Sequence, residues 1–202
     1  MLTNLQYNDI LALTIANRNQ LMVRGHDIAD FQNLTWTRSV GGYYHQNVSV
    51  VPFVSHIFTY WPKSNYLNYS WGFSGCAMAQ FTYNNHTYIC HIPLENGGIF
   101  DPRTIAGHNN WRILKGIVRF RNIFFPFTTP EIENFMRDTI IRNGYNDPYS
   151  LDCIGIIQGD DCYTMIFDHN QQTFIFVRKW RLMQPDIQYI YNQHGNKIYT
   201  QL

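Results

Sequence analysis

Charge is scarce in this chain: only 14% of its 202 residues are Asp, Glu, Lys or Arg, and they balance to a formal net charge of +1. No basic stretch exceeds Arg178-Lys179-Trp180-Arg181. That run lies in strand-like text and reads as a solvated strand face, so the electrostatic footprint of a nucleic-acid binder is missing. Long apolar runs are missing too. Segments such as Cys153-Ile154-Gly155-Ile156-Ile157 fall far short of the roughly 20 residues that a membrane-spanning helix needs, so no membrane partner is expected. Met1 to Asp9 carry neither the positive n-region nor the clean apolar h-region of a secretory signal, and Sec-dependent export is not expected. There is no Cys-x-x-Cys and no His-x-x-x-His. A zinc site would have to be assembled from scattered residues, so neither metal nor cofactor is expected.

What is present is apolar and aromatic. Hydrophobic residues make up 45% of the chain and aromatic residues 16%, which predicts packed, aromatic-rich sheets rather than disorder. The length suits one β-rich α/β domain over residues 1–202, with a core large enough to need no staple. The four cysteines, Cys76, Cys90, Cys153 and Cys162, therefore read as reduced thiols, with Cys153 and Cys162 in the core.

The pattern predicts a first helix over residues 3–17 with Leu5, Ile10, Leu13 and Ile15, though the helical spacing is loose. From Leu34 to Tyr60 the text turns β-branched and aromatic: Thr35-Trp36-Thr37, Val48-Ser49-Val50-Val51, then His56 to Tyr60. Gly41-Gly42 and Pro52 break it into short strands. The clearest helix runs from about Thr129 to Asn143, with Thr128 to Glu131 as a capping start, Ile132, Phe135, Met136, Thr139 and Ile140 as its face, and Asn143-Gly144 as its stop. Strands over Ile154–Gln158, Cys162–Phe167 and Thr173–Trp180 follow. Leu94 to Arg112 is rich in Gly, Asn and Pro and reads as a long surface loop.

One constellation has the chemistry of a nucleophilic site. Residues 76–92 form a hairpin pattern around Asn84-Asn85, and Asn tolerates the positive φ that a tight turn needs. With a two-residue turn, Tyr83 pairs with His86, and His91 falls opposite Met78 on the face of Cys76. The two are then diagonal neighbours, about 7 Å apart at Cβ. A three-residue turn would put them on opposite faces. Cys90 must point away from His91 and reads as structural. Upstream, Trp71-Gly72-Phe73-Ser74-Gly75 has two glycines that let backbone N–H groups converge on an oxyanion. The plainer alternative is a turn entering a strand, with Cys76 a small buried hydrophobe. His26-Asp27-x-x-Asp30 reads as capping or solvated groups rather than a metal or acid–base cluster.

Phe73-Ser74-Gly75-Cys76 followed by His91 resembles the Ser-Gly-Cys…His signature of bacterial glutamine deamidases. That group includes the catalytic domain of cytotoxic necrotizing factor, Burkholderia lethal factor and the chemoreceptor deamidase CheD. The resemblance covers residues 70–91 in sequence. It implies an α/β fold, a mixed or antiparallel β-sandwich flanked by helices and long loops, with Cys76 as nucleophile, His91 as base and backbone at Ser74 and Gly75 around the oxyanion. In the single-domain members a hydroxyl six positions before the cysteine orients the histidine, which here is Ser70. In the necrotizing factor a backbone carbonyl well upstream does so, near Tyr43 to Asn47 here. Ser70 also reads as a turn hydroxyl.

The activity implied is deamidation of a glutamine on a host protein by a toxin or effector acting as a monomer, the family's targets being Rho-type GTPases or a translation-initiation RNA helicase. The protein would be secreted or injected without a Sec signal, or otherwise cytoplasmic. The rivals are transglutamination or proteolysis by the same pair, or a non-enzymatic aromatic-rich binding module. A deamidase of folded proteins needs a reachable cysteine, so an open cleft is expected, with Gly97, Gly98 and Trp111 on one wall as substrate contacts.

Overall fold

The structure is a computed structural model that describes residues 2–17, 39–53, 58–74, 76–83, 85–92, 119–127, 130–180, 187–191 and 197–201. Its first helix, α1 (Asn4–Asn17), starts on a capping box. The Thr3 N–H donates to Gln6 Oε1 at 2.9 Å, and the Gln6 N–H donates to Thr3 Oγ1 at 3.2 Å, which satisfies two otherwise orphaned backbone donors. The buried stripe is Gln6, Ile10, Leu13 and Thr14, while Leu5 and Ile15 are exposed. The helix stands where the sequence predicts it, with Ile10 and Leu13 of the four predicted apolar residues in its buried stripe. The spacing looked loose because two stripe positions are polar. Thr14 Oγ1 satisfies itself by donating to the Ile10 carbonyl at 2.7 Å and sharing a hydrogen bond with the Tyr69 hydroxyl.

The strands form two large sheets. One has five strands, β1 (Ser39–Gly41), β4 (Phe58–Pro62), β7 (His86–Ile92), β6 (Ala77–Tyr83) and β8 (Arg119–Phe124), in that spatial order. The other has six: β11 (Thr173–Trp180), β10 (Asp161–Asp168), β9 (Leu151–Gln158), β5 (Leu67–Ser70), β3 (Val48–Val51) and β2 (Tyr43–His45). Pairing is antiparallel except for β1 with β4 and β3 with β5. The expected α/β class and mixed sandwich with helices are what the chain adopts. Near the C-terminus β12 (Ile187–Tyr191) and β13 (Lys197–Gln201) pair with each other.

The inner strands of the six-stranded sheet are buried on both faces, and side-chain alternation sorts their residues. Ile154, Ile156, Tyr163, Met165 and Phe167 share one core with Ile10 and Leu13 of α1. Leu151, Cys153, Ile157, Cys162 and Ile166 share the other with Met78 and Ile89 of the five-stranded sheet. Ile132 of α2 (Pro130–Asn143) joins that second core. Pro130 opens α2 at a position where its missing N–H costs nothing. A Schellman motif closes it: Gly144, at φ +64, donates to Ile141 O and Tyr145 donates to Ile140 O, as Asn143-Gly144 predicts. Arg178 and Lys179 pair with Glu131 and Asp161 on the surface. Among the described residues no helix is long and apolar enough to cross a membrane.

The chain passes between the sheets repeatedly, and the shortest passage is one residue. Gly42 continues the β1 ladder by donating to Tyr60 O at 3.0 Å, and β2 then begins in the opposite sheet. A Cβ on Gly42 would lie 2.1 Å from the Val50 carbonyl oxygen and 2.9 Å from Trp61 Cβ. The obstacle is backbone and cannot rotate away. Gly42→Ala is expected to cost about 1–3 kcal/mol, the usual range for overpacking, read as a lower urea midpoint at unchanged slope. An unchanged midpoint would mean the two sheets do not pinch the chain there.

Candidate active site

The β6–β7 register decides which side chains can meet. Tyr83 pairs with His86 and Met78 with His91, the two-residue connection, with Asn85 at φ +63. His91 therefore shares the face of Met78, which looks into the sandwich. Cys76 immediately precedes β6 and belongs to the same buried cluster as Met78 and Phe73. The paired register begins at Ala77, opposite Ile92, and continuing it one residue would make Cys76 diagonal to His91, a placement in which Cβ atoms are about 7 Å apart. Cys90 points the other way, its Sγ 3.5 Å from Ala79 O.

Across the sandwich, Ser70 meets the histidine. It ends β5 opposite Gly155 of β9, and its Oγ lies 2.8 Å from His91 Nδ1. In the upstream segment, the Asn47 carbonyl accepts from Ser64 Oγ. His91 Nε2 is buried and has no hydrogen-bond partner among the described residues. Phe73 stacks on the imidazole at 4.3 Å between centroids and 6° between planes, and Phe53 lies 5.2 Å away at 45°. Thr59, the partner of His91 on β4, donates to Pro52 O at 2.7 Å and so anchors the segment that carries Phe53. Burial lowers the His91 pKa to about 3 by disfavouring imidazolium, so the ring is neutral at physiological pH.

The segment leading to Cys76 is held from the opposite sheet. Gly72, at φ +75, donates to Asp152 Oδ1 at 3.1 Å, and Phe73 donates to Cys153 O at 3.2 Å. A side chain on Gly72 would be strained by that φ and would press on Phe53. Burial raises the Asp152 carboxyl to about 7, against the lowering effect of the Gly72 and Cys153 N–H groups.

Two expectations need correction or restriction. Cys76 and His91 are each only 1% exposed, so in this conformation the two residues do not line an open cleft. Both are core residues as well as candidate chemical groups, because the sandwich interface that brings Ser70 to His91 also closes over the pair. Ser74, two residues before Cys76, is exposed. Gly75, Gly97, Gly98, Trp111, the 94–112 loop, Thr35–Thr37, Thr128 and the His26-Asp27-Asp30 group lie outside the described residues. The other three thiols sit in the core, and burial pushes each of their pKa values up, which suppresses the reactive thiolate. Among the described residues no three His, Cys, Asp or Glu side chains gather as metal ligands. Sequence reasoning missed Phe53, Asp152 and Gly155. For Gly155 a signal existed, since an isolated glycine in a strand marks close approach of other groups.

Both shifted groups leave marks on stability. The unfolded chain protonates His91 near 6.5 and the folded chain only near 3, so its contribution is complete above 6.5 and is lost as pH falls toward 3. Asp152 has the opposite sign: its folded value is about 7 against 3.8, so its contribution is present below 3.8 and is lost as pH rises toward 7. His91→Gln should therefore lose least, relative to the parent, at the acid end of its window. Asp152→Asn, which keeps an acceptor for Gly72, should gain relative to the parent as pH rises from 4 to 7. Urea unfolding across pH 3–8 reads both, and parallel curves would refute the assigned protonation states.

No protein-family model, curated protein or solved structure matches this chain.

Proposed function

We propose that this chain is a cysteine-dependent protein-glutamine deamidase, converting a glutamine on a host target protein to glutamate and releasing ammonia. The observation that carries the reading is the buried hydrogen bond between Ser70 Oγ and His91 Nδ1, at 2.8 Å, with His91 Nε2 left without a partner among the described residues. A base needs an orienting group on one nitrogen and an open lone pair on the other. When Nδ1–H donates to Ser70 Oγ, Nε2 is the lone-pair nitrogen. Ser70 also stands at the position where the single-domain deamidases carry their orienting hydroxyl.

The chemistry then runs through the pair. Because burial disfavours imidazolium, the resting imidazole is neutral, and no imidazolium stands ready to pair with a thiolate. Nε2 takes the Cys76 proton as sulfur bonds to the glutamine carboxamide carbon. Backbone N–H groups at Gly75 and Cys76 hold the oxyanion in the manner the resemblance implies. The C–N bond breaks, His91 returns the proton to the departing ammonia, and a thioester is left. Water, deprotonated by His91, attacks the thioester, giving glutamate and the thiol. The carboxylate replaces a neutral amide, which is enough to disable a recognition or catalytic glutamine. Rho-type GTPases and translation-initiation helicases are the target classes, and delivery into a host cytoplasm without a Sec signal is the matching route.

One observation favours a second reading. Cys76 and His91 are both 1% exposed, as they would be in a non-enzymatic binding module whose site residues are simply core. Mass spectrometry of a host-cell lysate treated with the wild type or with Cys76→Ser separates the two. The enzyme should convert particular glutamines to glutamate and release ammonia without an added amine, and Cys76→Ser should not. His91→Ala should slow the reaction by about 10²–10⁴-fold, the usual contribution of a positioned base. Ser70→Ala should slow it less and Ser70→Thr least. No altered glutamine, together with iodoacetamide modifying native Cys76 no faster than Cys90, Cys153 and Cys162, would leave the binding module standing.

A further inference from the structure

We propose that Phe73 is a positioning residue for His91, seated on Gly155 of the opposite sheet. The hydrogen bond to Ser70 Oγ fixes where Nδ1 lies. A single hydrogen bond, tolerant of some tens of degrees, leaves the ring able to rock about Cβ–Cγ, and that motion sweeps Nε2 through an arc. A flat partner on the ring face removes the freedom. Phe73 is that partner, parallel to the imidazole within 6° at 4.3 Å, face contact at the close end of aromatic stacking. Phe53 bounds the ring again, tilted at 45°.

Phe73 is itself fixed at backbone and ring. Its N–H donates to Cys153 O, and the preceding Gly72 is tied to Asp152. Its ring edge rests where a side chain of residue 155 would be: a Cβ on Gly155 would lie 2.9 Å from Phe73 Cε2 and 2.8 Å from Met78 Sδ. Met78 is the cross-strand partner of His91. Two neighbours of the histidine thus lean on one bare Cα, beside Ser70, the strand partner of Gly155. The arrangement fixes the bond direction and the plane of one imidazole from a single spot on the opposing sheet. Its value for reactivity rests on the deamidase reading, whereas the orientation itself does not.

The test is ¹⁵N and ¹³C NMR of the His91 ring in the full chain, titrated over pH, alongside the pH profile of deamidation. Phe73→Leu keeps apolar bulk and loses the flat face. The His91 titration should move up by about one unit as the ring gains freedom and water, and the deamidation rate should fall about 10²-fold, the order produced by roughly 1 Å of misplacement. Gly155→Ala keeps the phenyl ring and displaces it, so the same signals should move in the same direction. Pairing it with Phe73→Leu, which makes room for the new methyl, should add little to either single change. The Gly155 variant serves equally should Phe73→Leu fail to fold. His91 signals that titrate as in the wild type in either folded variant overturn the proposal. Shifted His91 signals in a protein that deamidates nothing support the positioning role and sink the deamidase reading instead.

Discussion

A six-stranded sheet with two apolar faces has to be covered twice, and the rest of this molecule follows from how that is done. α1 covers one face; the five-stranded sheet and α2 cover the other. The central strands leave little choice. β9 and β10 are buried along nearly their whole length, and leaving either face wet would forgo about 1.5–3 kcal/mol for each large aliphatic or aromatic side chain exposed. The chain meets the demand by stepping back and forth between sheets, at Gly42, between β3 and β4, and between β5 and β6.

The candidate site is a product of those crossings. The segment after β3 carries Phe53 and the segment after β5 carries Phe73, and both converge on His91. Ser70 comes from one sheet and His91 from the other, so their hydrogen bond spans the sandwich interface. The environment that orients the imidazole is also what keeps it neutral, because a buried ring packed against Phe73 and Phe53 is cut off from water. Orientation and burial are one packing event here, and the same event closes the pair from solvent. Fold stability and site chemistry are therefore coupled at His91 and Cys76, and substitutions there touch both.

Polar residues in the core show the same economy. Thr14, Asn68 and Thr164 are fully or almost fully buried, and each bonds to backbone: Thr14 to Ile10 O, Asn68 to Ser64 and Ile157 O, Thr164 to Pro126 O. Each removes the penalty of an unpaired buried group, about 1–3 kcal/mol. His91 Nε2, like Trp61 Nε1 and Gln80 Oε1, has no partner among the described residues. A buried nitrogen left so is costly for structure, and in the proposed reaction it is the atom that takes the proton.

Local elements were legible in the sequence because short-range chemistry determines them. The stop of α2 at Asn143-Gly144 appears as a Schellman motif because only a residue tolerant of positive φ ends a helix that way. The 76–92 register followed from Asn84-Asn85, since a two-residue turn leaves one pairing, and with it came the shared face of Met78 and His91. The capping box of α1 was there to read as Thr3 and Gln6, whereas its buried face was legible only at Ile10 and Leu13, because the other buried positions, Gln6 and Thr14, are polar. What only the tertiary structure decided is which sheet each strand joins. That choice depends on contacts between residues far apart in the chain, such as Gly155 with Phe73 and Met78. Periodicity records which side of a strand is apolar and carries no information about what packs against it. For that reason Ser70 was one of two open alternatives in the sequence, and the folded sandwich put it on His91.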